Sequence, residues 1–103
     1  MRGRKTLCFC AFKFYEQLKF VMAVVENESF SLVAKQCFVS QSTLSNSIQA
    51  LENEFGRALF NRTTRCVQLY FFGIEMLPFI TSILIAEKNL FDYIEKLILA
   101  VKF

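Results

Sequence analysis

Hydrogen-bonding side chains are concentrated in one stretch of this sequence, CFVSQSTLSNSIQALE, which spans residues 37–52. Apolar residues recur there at helical spacing, and Ser, Thr, Gln and Asn fill most of the other positions. A helix that only faces water normally carries Glu and Lys on that side, because they form helices more readily. Short amide and hydroxyl side chains can instead pair with base edges in a DNA major groove. Helix capping by clustered Ser and Thr is the alternative interpretation.

The absence of His and the placement of the four Cys residues exclude several kinds of reactive site. Without His there is no Ser–His or Cys–His pair for nucleophilic catalysis. Cys8 and Cys10 form a C-x-C pair, but Cys37 and Cys66 stand alone, unlike the paired ligands of a four-Cys metal site. We expect Cys37 and Cys66 to be small buried side chains in a reducing cytosol. The sequence predicts no enzyme, with no catalytic residue, metal or cofactor.

The composition is apolar for a chain of 103 residues, since 54% of them are hydrophobic and 13 are Phe. A small domain buries only part of its surface, so we expect the excess apolar area to pack against another chain. The longest apolar run, Met76–Ala86, is far shorter than the ~20 residues that cross a bilayer. Lys13 interrupts the apolar start, which also lacks a signal-peptide cleavage site. We expect a cytoplasmic protein with no membrane partner.

Three short helices are predicted in the first half of the chain. The first runs from Phe14 to about Glu26, and the second starts at Phe30 or Ser31. In the third, Ser40 is a natural N-cap and Gly56 a typical C-terminal stop. Their inward-facing residues are predicted to be Leu18, Val21, Met22 and Val25, then Val33, Ala34 and Cys37, then Leu44, Ile48, Leu51 and Phe55. Two helices joined by a tight turn after a supporting helix are the layout of a helix-turn-helix.

A small β-hairpin and a long helix are predicted to follow. In residues 59–69, the apolar Val67 and Leu69 alternate with the polar Gln68, as in a strand, and NRTTR forms a polar tip. This pattern is typical of a wing. The long helix runs from about Ile74 to Val101, with Pro78 in its first turns. The predicted fold class is mainly α: a winged helix-turn-helix of three helices plus a small β-hairpin wing, followed by a long dimerisation helix. We divide the chain into an N-terminal extension (1–13), a winged DNA-binding domain (14–73) and a linker helix (74–103).

Several motifs in order give the sequence a family resemblance. They are LKFVMAVVENESFSLVA, VSQSTLSNSIQALENEFG, LFNRT and GIEMLPFITSIL. Together they resemble the N-terminal DNA-binding domain of LysR-type transcriptional regulators, from about Tyr15 to Leu97. The resemblance implies a bacterial, nucleoid-associated regulator that binds double-stranded DNA as a dimer. It also implies a separate effector-binding domain after the linker, so we assign no small-molecule effector to this chain.

The resemblance also implies which residues contact DNA. The start of the third helix carries the contacts in this family, which corresponds here to Ser40, Gln41, Ser42, Thr43, Ser45, Asn46 and Gln49. Arg62 and Arg65 on the wing are expected to contact the DNA backbone. Lys35 is a weaker candidate, as are Arg2, Arg4 and Lys5. The family usually has Pro at Ser42, Arg at Asn46 and a basic residue at Gln49, so the expected phosphate contacts are fewer here.

The long helix carries an apolar seam at steps of four and three residues, as in a coiled coil. The residues at these steps are Met76, Ile80, Ile83, Leu90, Ile94, Leu97 and Val101. A second row beside them at seven-residue spacing, Leu77, Leu84, Phe91 and Ile98, widens the seam. Glu87 interrupts the seam and is expected to set its register or to find a basic partner. The seam predicts a homodimer. Two other functions compete with DNA binding: a dimerisation-only partner that modulates a full-length regulator, and a peripheral membrane peptide, which the acidic charge of the helix disfavours.

Overall fold

The computed structural model describes residues 7–63 and 66–101, with side chains from Lys13 onward. Its helices are α1 (Leu7–Asn27), α2 (Phe30–Gln36), α3 (Gln41–Phe55) and α4 (Phe71–Val101). Helix α1 packs against each of the other three, and α2 packs against α3. The molecule is 56 Å along its longest axis because α4, about 46 Å long at 1.5 Å per residue, extends beyond the other helices. The predicted mainly α architecture is confirmed.

Helix α1 forms the centre of the core. It begins at Leu7 rather than at Phe14, since no Gly or Pro stands between these residues to interrupt it. Leu18, Val21 and Val24 are fully buried, whereas the predicted core residues Met22 and Val25 are only partly buried and pack around them. The buried Gln17 amide donates a hydrogen bond to the Ser47 carbonyl at 3.1 Å, which ties α1 to α3.

The turn between α2 and α3 differs in one respect from the prediction. Val33 and Ala34 are buried as expected, but Cys37 is exposed. Helix α2 ends at Gln36, so Cys37 lies in the turn, and Phe38 follows in the left-handed region with φ 59°. The prediction of a buried thiol was therefore wrong for Cys37, and it was wrong for the exposed Cys66 as well.

Helix α3 begins and ends as the sequence predicts. The Ser40 hydroxyl accepts a hydrogen bond from the Thr43 backbone N–H at 3.0 Å, which caps the first turn. Gly56 ends the helix in the left-handed conformation, with φ 85°. The apolar stripe of the helix, Leu44, Ile48 and Leu51, is fully buried, and Phe55 packs at its edge.

The segment predicted as a wing pairs with itself through one antiparallel bridge, between Phe60 and Leu69. The Asn61 N–H donates to the Gln68 carbonyl at 2.8 Å, and the Tyr70 N–H donates to the Leu59 carbonyl at 2.9 Å. Helix α4 then packs closely on this segment at Gly73. A Cβ at Gly73 would lie 2.5 Å from the Leu59 carbonyl oxygen, so only glycine fits there.

Helix α4 begins at Phe71, earlier than the predicted Ile74. Pro78 therefore lies two turns into the helix, where its missing N–H removes one bond of the helical ladder. Ile80 is buried in the core at 3% exposure, whereas every residue from Lys88 to Val101 is exposed. Among the helices in the described part of the chain, none has the length and apolar character needed to cross a membrane.

Candidate nucleic-acid interface

The polar residues predicted to contact DNA lie together on one side of α3. Gln41, Ser42, Asn46 and Gln49 are exposed, and Ser45 among them is partly buried. They share a side because their spacing matches the helical repeat, while the opposite side carries the buried stripe. The resulting surface holds amides and hydroxyls and no formal charge. Such groups can pair with base edges through both donors and acceptors.

Ser40 and Thr43 are bound to each other at the helix start. Besides accepting the Thr43 N–H, the Ser40 hydroxyl lies 2.9 Å from the Thr43 hydroxyl. The predicted capping role of Ser40 is confirmed. The remaining N–H groups of this first turn lie at the positive end of the helix dipole, which attracts anions such as phosphate.

A buried carboxylate, which the sequence did not single out as functional, connects α3 to the wing segment. One Glu52 carboxylate oxygen accepts hydrogen bonds from the backbone N–H groups of Leu59 and Phe60, at 2.7 and 3.0 Å. The other oxygen pairs with Arg62 at 3.2 Å. Glu52 is only 6% exposed. A buried charge of this kind is tolerated because both oxygens have partners.

Arg62 folds back onto α3. Its Nη1 donates to the Ser45 hydroxyl at 2.6 Å, its Nη2 donates to Glu52, and its guanidinium lies 5.3 Å from the centre of the Phe30 ring. Phe30 itself packs edge-on against Phe60. The sequence offers only a general signal for this arrangement: an acid on the buried side of a helix needs a partner, and Arg57, Arg62 and Arg65 all follow Glu52 within thirteen residues.

The other basic candidates divide into two groups. Lys35 is exposed near the end of α2. Arg65 lies outside the described residues, as do Arg2, Arg4 and Lys5. A shallow cleft between α3 and the wing segment brings Gln41, Ser45 and Arg62 together; its lining also includes Phe30, Asn61, Cys66 and Val67.

The residues of the predicted seam fall into two sets along α4. Met76 and Leu84 are partly buried against the core, and Ile80 is buried within it. We therefore leave Ile80 out of any partner surface. The second set is exposed, by between 39% and 57%: Ile83, Leu90, Phe91, Ile94, Leu97 and Ile98. These side chains remain available for a partner.

Glu87, the interruption in this seam, has a partner within the chain. Its carboxylate accepts a hydrogen bond from the Tyr15 phenol of α1, and this bond is the main cause that raises the pKa of Tyr15 to about 12. The contact with Tyr15 ties the middle of α4 to α1. The expectation that Glu87 sets the register of a helix pair or finds a basic partner there stays a prediction.

Comparisons with known proteins agree with this geometry. The sequence model described as "Bacterial regulatory helix-turn-helix protein, lysR family" matches residues 15–70. The transcriptional regulator TfdT of Cupriavidus pinatubonensis is 45% identical over 53 residues, which are 52% of this chain and 23% of TfdT. The regulator IlvR of Caulobacter vibrioides is 38% identical over 81 residues, which are 79% of this chain and 27% of IlvR.

Among solved structures, the BenM_DBD/catB site 1 DNA complex is similar to this chain with a TM-score of 0.75 at 28% identity. The match covers 81% of this chain and 93% of the BenM chain. By contrast, the chain spans about a quarter of the length of the curated relatives that it matches. These relatives are transcriptional regulators and not enzymes.

Proposed function

Because the chain belongs to the lysR family of bacterial regulatory helix-turn-helix proteins, we propose that it binds DNA sequence-specifically, as a homodimer, to regulate transcription. Residues 14–73 would form the DNA-binding unit and residues 74–103 the linker that joins two copies. We place its action in the bacterial cytoplasm, at the nucleoid. The observation that carries the proposal is the uncharged polar side of α3, held rigidly by a buried stripe on the opposite side.

Base recognition is assigned to the first turns of α3. The amides of Gln41 and Asn46 can each donate and accept, which suits bidentate pairing with adenine in the major groove. Ser42 is exposed in the first turn of α3, where its hydroxyl can contact a base edge or a phosphate. Thr43 and Gln49 extend the same contact surface at its two ends.

Affinity for the DNA backbone is assigned to groups around this helix. The N-terminus of α3 with its Ser40 cap can receive one phosphate, because its N–H groups and dipole favour an anion. Lys35, exposed near the end of α2, and Arg65 are the basic residues assigned to the DNA backbone. Arg62 contributes less than the sequence predicts, because its charge is already paired with Glu52. We therefore expect moderate affinity with few phosphate contacts.

Dimerisation is assigned to the exposed part of α4. Leu90, Phe91 and Leu97 are half exposed, and an apolar row of this length on a soluble chain is usually buried against a partner. A second copy is the simplest partner, because a two-fold axis along α4 would present two α3 helices to two half-sites. The seam repeats at steps of four and three residues, the repeat that packs one helix against another in a coiled coil.

The experiment that tests the proposal measures binding of the chain to genomic DNA fragments at two salt concentrations, with the mass in solution measured in parallel. We expect a dimer that retards particular fragments, and binding that weakens as salt rises because counterions are released. A dimer that binds no fragment at low salt would overturn the proposal and favour the dimerisation-only function.

A further inference from the structure

We propose that Ser45 acts on DNA mainly as a hydrogen-bond donor, and that Arg62 is the positioning residue that favours this role. The inference rests on the proposed DNA-binding function and goes beyond it, because it assigns a direction to one contact. Three observations carry it: the Arg62–Ser45 bond, the anchoring of Arg62 by Glu52, and the place of Ser45 beside the exposed amides of α3.

The direction of the Arg62–Ser45 bond follows from the chemistry of arginine. A guanidinium has five N–H donors and no acceptor, so the Ser45 oxygen must accept in the 2.6 Å contact. This differs from the Ser40–Thr43 pair, where either hydroxyl could donate to the other. Within the described residues the Ser45 hydroxyl has no second hydrogen bond, so its proton remains to be donated outward.

Three contacts hold Arg62 against α3 and Phe30, although 32% of its side chain is exposed. Its second terminal nitrogen is paired with Glu52, and its planar group lies over the ring of Phe30. Glu52 is itself fixed by the backbone N–H groups of Leu59 and Phe60. Since Glu52 neutralises the charge of Arg62, the pair exerts little net attraction on the DNA backbone.

The consequence is a restriction on what Ser45 can contact. A serine hydroxyl is normally ambiguous, because it can donate or accept. The guanidinium takes one of the two lone pairs of the Ser45 oxygen, and its positive charge makes that oxygen a poorer acceptor and the O–H a better donor. Ser45 therefore suits acceptors: a phosphate oxygen, N7 or O6 of guanine, N7 of adenine, or O4 of thymine. The exocyclic amino groups of adenine and cytosine are donors and are disfavoured. Ser45 lies one helical turn after Gln41, so both can address neighbouring positions of one site.

The test is a double-mutant cycle on the preferred DNA site of the parent protein, using Ser45→Ala, Arg62→Lys and the double variant. A lysine retains the charge but cannot bond Glu52 and Ser45 together as a planar fork. We expect each single variant to lose about three- to tenfold in affinity. The double variant should be no weaker than Ser45→Ala alone, and Arg62→Lys should leave the salt dependence unchanged. Arg57→Lys, at an exposed position after α3, is the matched control and should bind as the parent does.

Losses that multiply in the double variant would overturn the inference, because Arg62 would then not act through Ser45. A parent protein that binds no DNA would overturn the proposed function and this inference together. A parent that binds, with Ser45→Ala unaffected, would overturn this inference alone. Thermal unfolding of each variant shows whether it folds.

A second measurement identifies the acceptor and does not depend on whether Arg62→Lys folds. Single phosphates of the preferred site are replaced by neutral methylphosphonates, and single purines by their 7-deaza analogues. We expect one replacement to weaken the parent but not Ser45→Ala. That replacement distinguishes a phosphate oxygen from a purine N7. Ser45 is not a donor to DNA if no replacement behaves in this way and if substitution of single thymines and guanines also weakens the parent and Ser45→Ala equally.

Discussion

Helix α3 and the distal half of α4 both carry an apolar stripe, but the chain covers only one of them. Leu44, Ile48 and Leu51 of α3 are fully buried by the other helices. In α4, Leu90, Ile94 and Leu97 keep 55%, 39% and 48% of their surface exposed. The apolar stripe of α3 is thus closed within one chain, whereas that of distal α4 is open.

The polar sides of the two helices differ as well. On α4, Lys88 and Asp92 form an exposed ion pair at 3.2 Å, the usual way for a helix to face water. On α3, the exposed residues from Gln41 to Gln49 carry no charge. Solvation alone explains the charges on α4 but not their absence on α3, and this absence favours a contact surface there.

The largest expected effect concerns the closed stripe. Leu51→Ala should lower the free energy of unfolding by about 2–5 kcal/mol, because it leaves a cavity in a fully buried site. The loss should be the same at every protein concentration. Leu99→Ala is the matched control and should change stability little, because Leu99 on α4 is 68% exposed. Chemical denaturation measures both, and equal losses would remove the distinction between the two regions.

The next effect concerns the open stripe. Leu90→Glu combined with Ile94→Glu should give a folded monomer, because two charges on each copy cannot be buried at a helix pair. We expect the dissociation constant of the dimer to rise at least about 100-fold, a change of ~2.7 kcal/mol, and DNA binding to weaken with it. Sedimentation checks the mass. A parent that sediments as a monomer at micromolar concentration would contradict this prediction, as would a double variant that remains dimeric.

A smaller effect is expected on the polar side of α3. Gln41→Ala, Ser42→Ala and Asn46→Ala should each relax the preference at particular bases, by ~1–3 kcal/mol where a bidentate contact is lost. Their folding stability should be nearly unchanged, because all three residues are exposed. Quantitative binding to a set of single-base variants of the preferred site measures this. Identical preferences in the parent and all three variants would exclude these residues as base contacts.

The smallest effect concerns the contact that joins α4 to α1. Since hydrogen bonding to Glu87 raises the pKa of Tyr15 from 10.0 to about 12, the folded state favours the neutral phenol. The contribution is therefore fully present below about pH 10 and is lost as the pH rises toward 12. The parent should be more stable than Tyr15→Phe at pH 9, and the difference should disappear near pH 12. A difference that is constant with pH would show that the phenol proton is not involved.

Much of the fold could be predicted because local signals agreed with tertiary packing. The cap at Ser40, the stop at Gly56 and the stripe between them each indicate the same helix. The start of α4 was placed too late, at Ile74 instead of Phe71, which left Gly73 outside the helix. The role of Gly73 is to allow close contact with Leu59, which depends on a neighbour distant in sequence.

The sequence predicts which residues of the site are exposed on α3, but not the hydrogen bonds and ion pair within the site. Spacing alone places Gln41, Ser42 and Asn46 on one exposed side of α3. No local pattern shows that Arg62 turns inward to Glu52, because that pairing forms only when the wing segment packs on α3. The prediction of a buried thiol at Cys37 was wrong for a related reason. Helix α2 ends one residue earlier than predicted, so Cys37 lies in the turn.

Selection of bound sequences from a random-sequence DNA library tests whether two copies joined by α4 present two α3 helices to DNA. We predict that the parent enriches two copies of one short motif, related by a two-fold axis at a fixed spacing. The Leu90→Glu, Ile94→Glu variant should enrich at most a single copy, and weakly. A parent that enriches no motif, or a single unpaired motif at the same affinity as the variant, would contradict a dimer that presents two α3 helices.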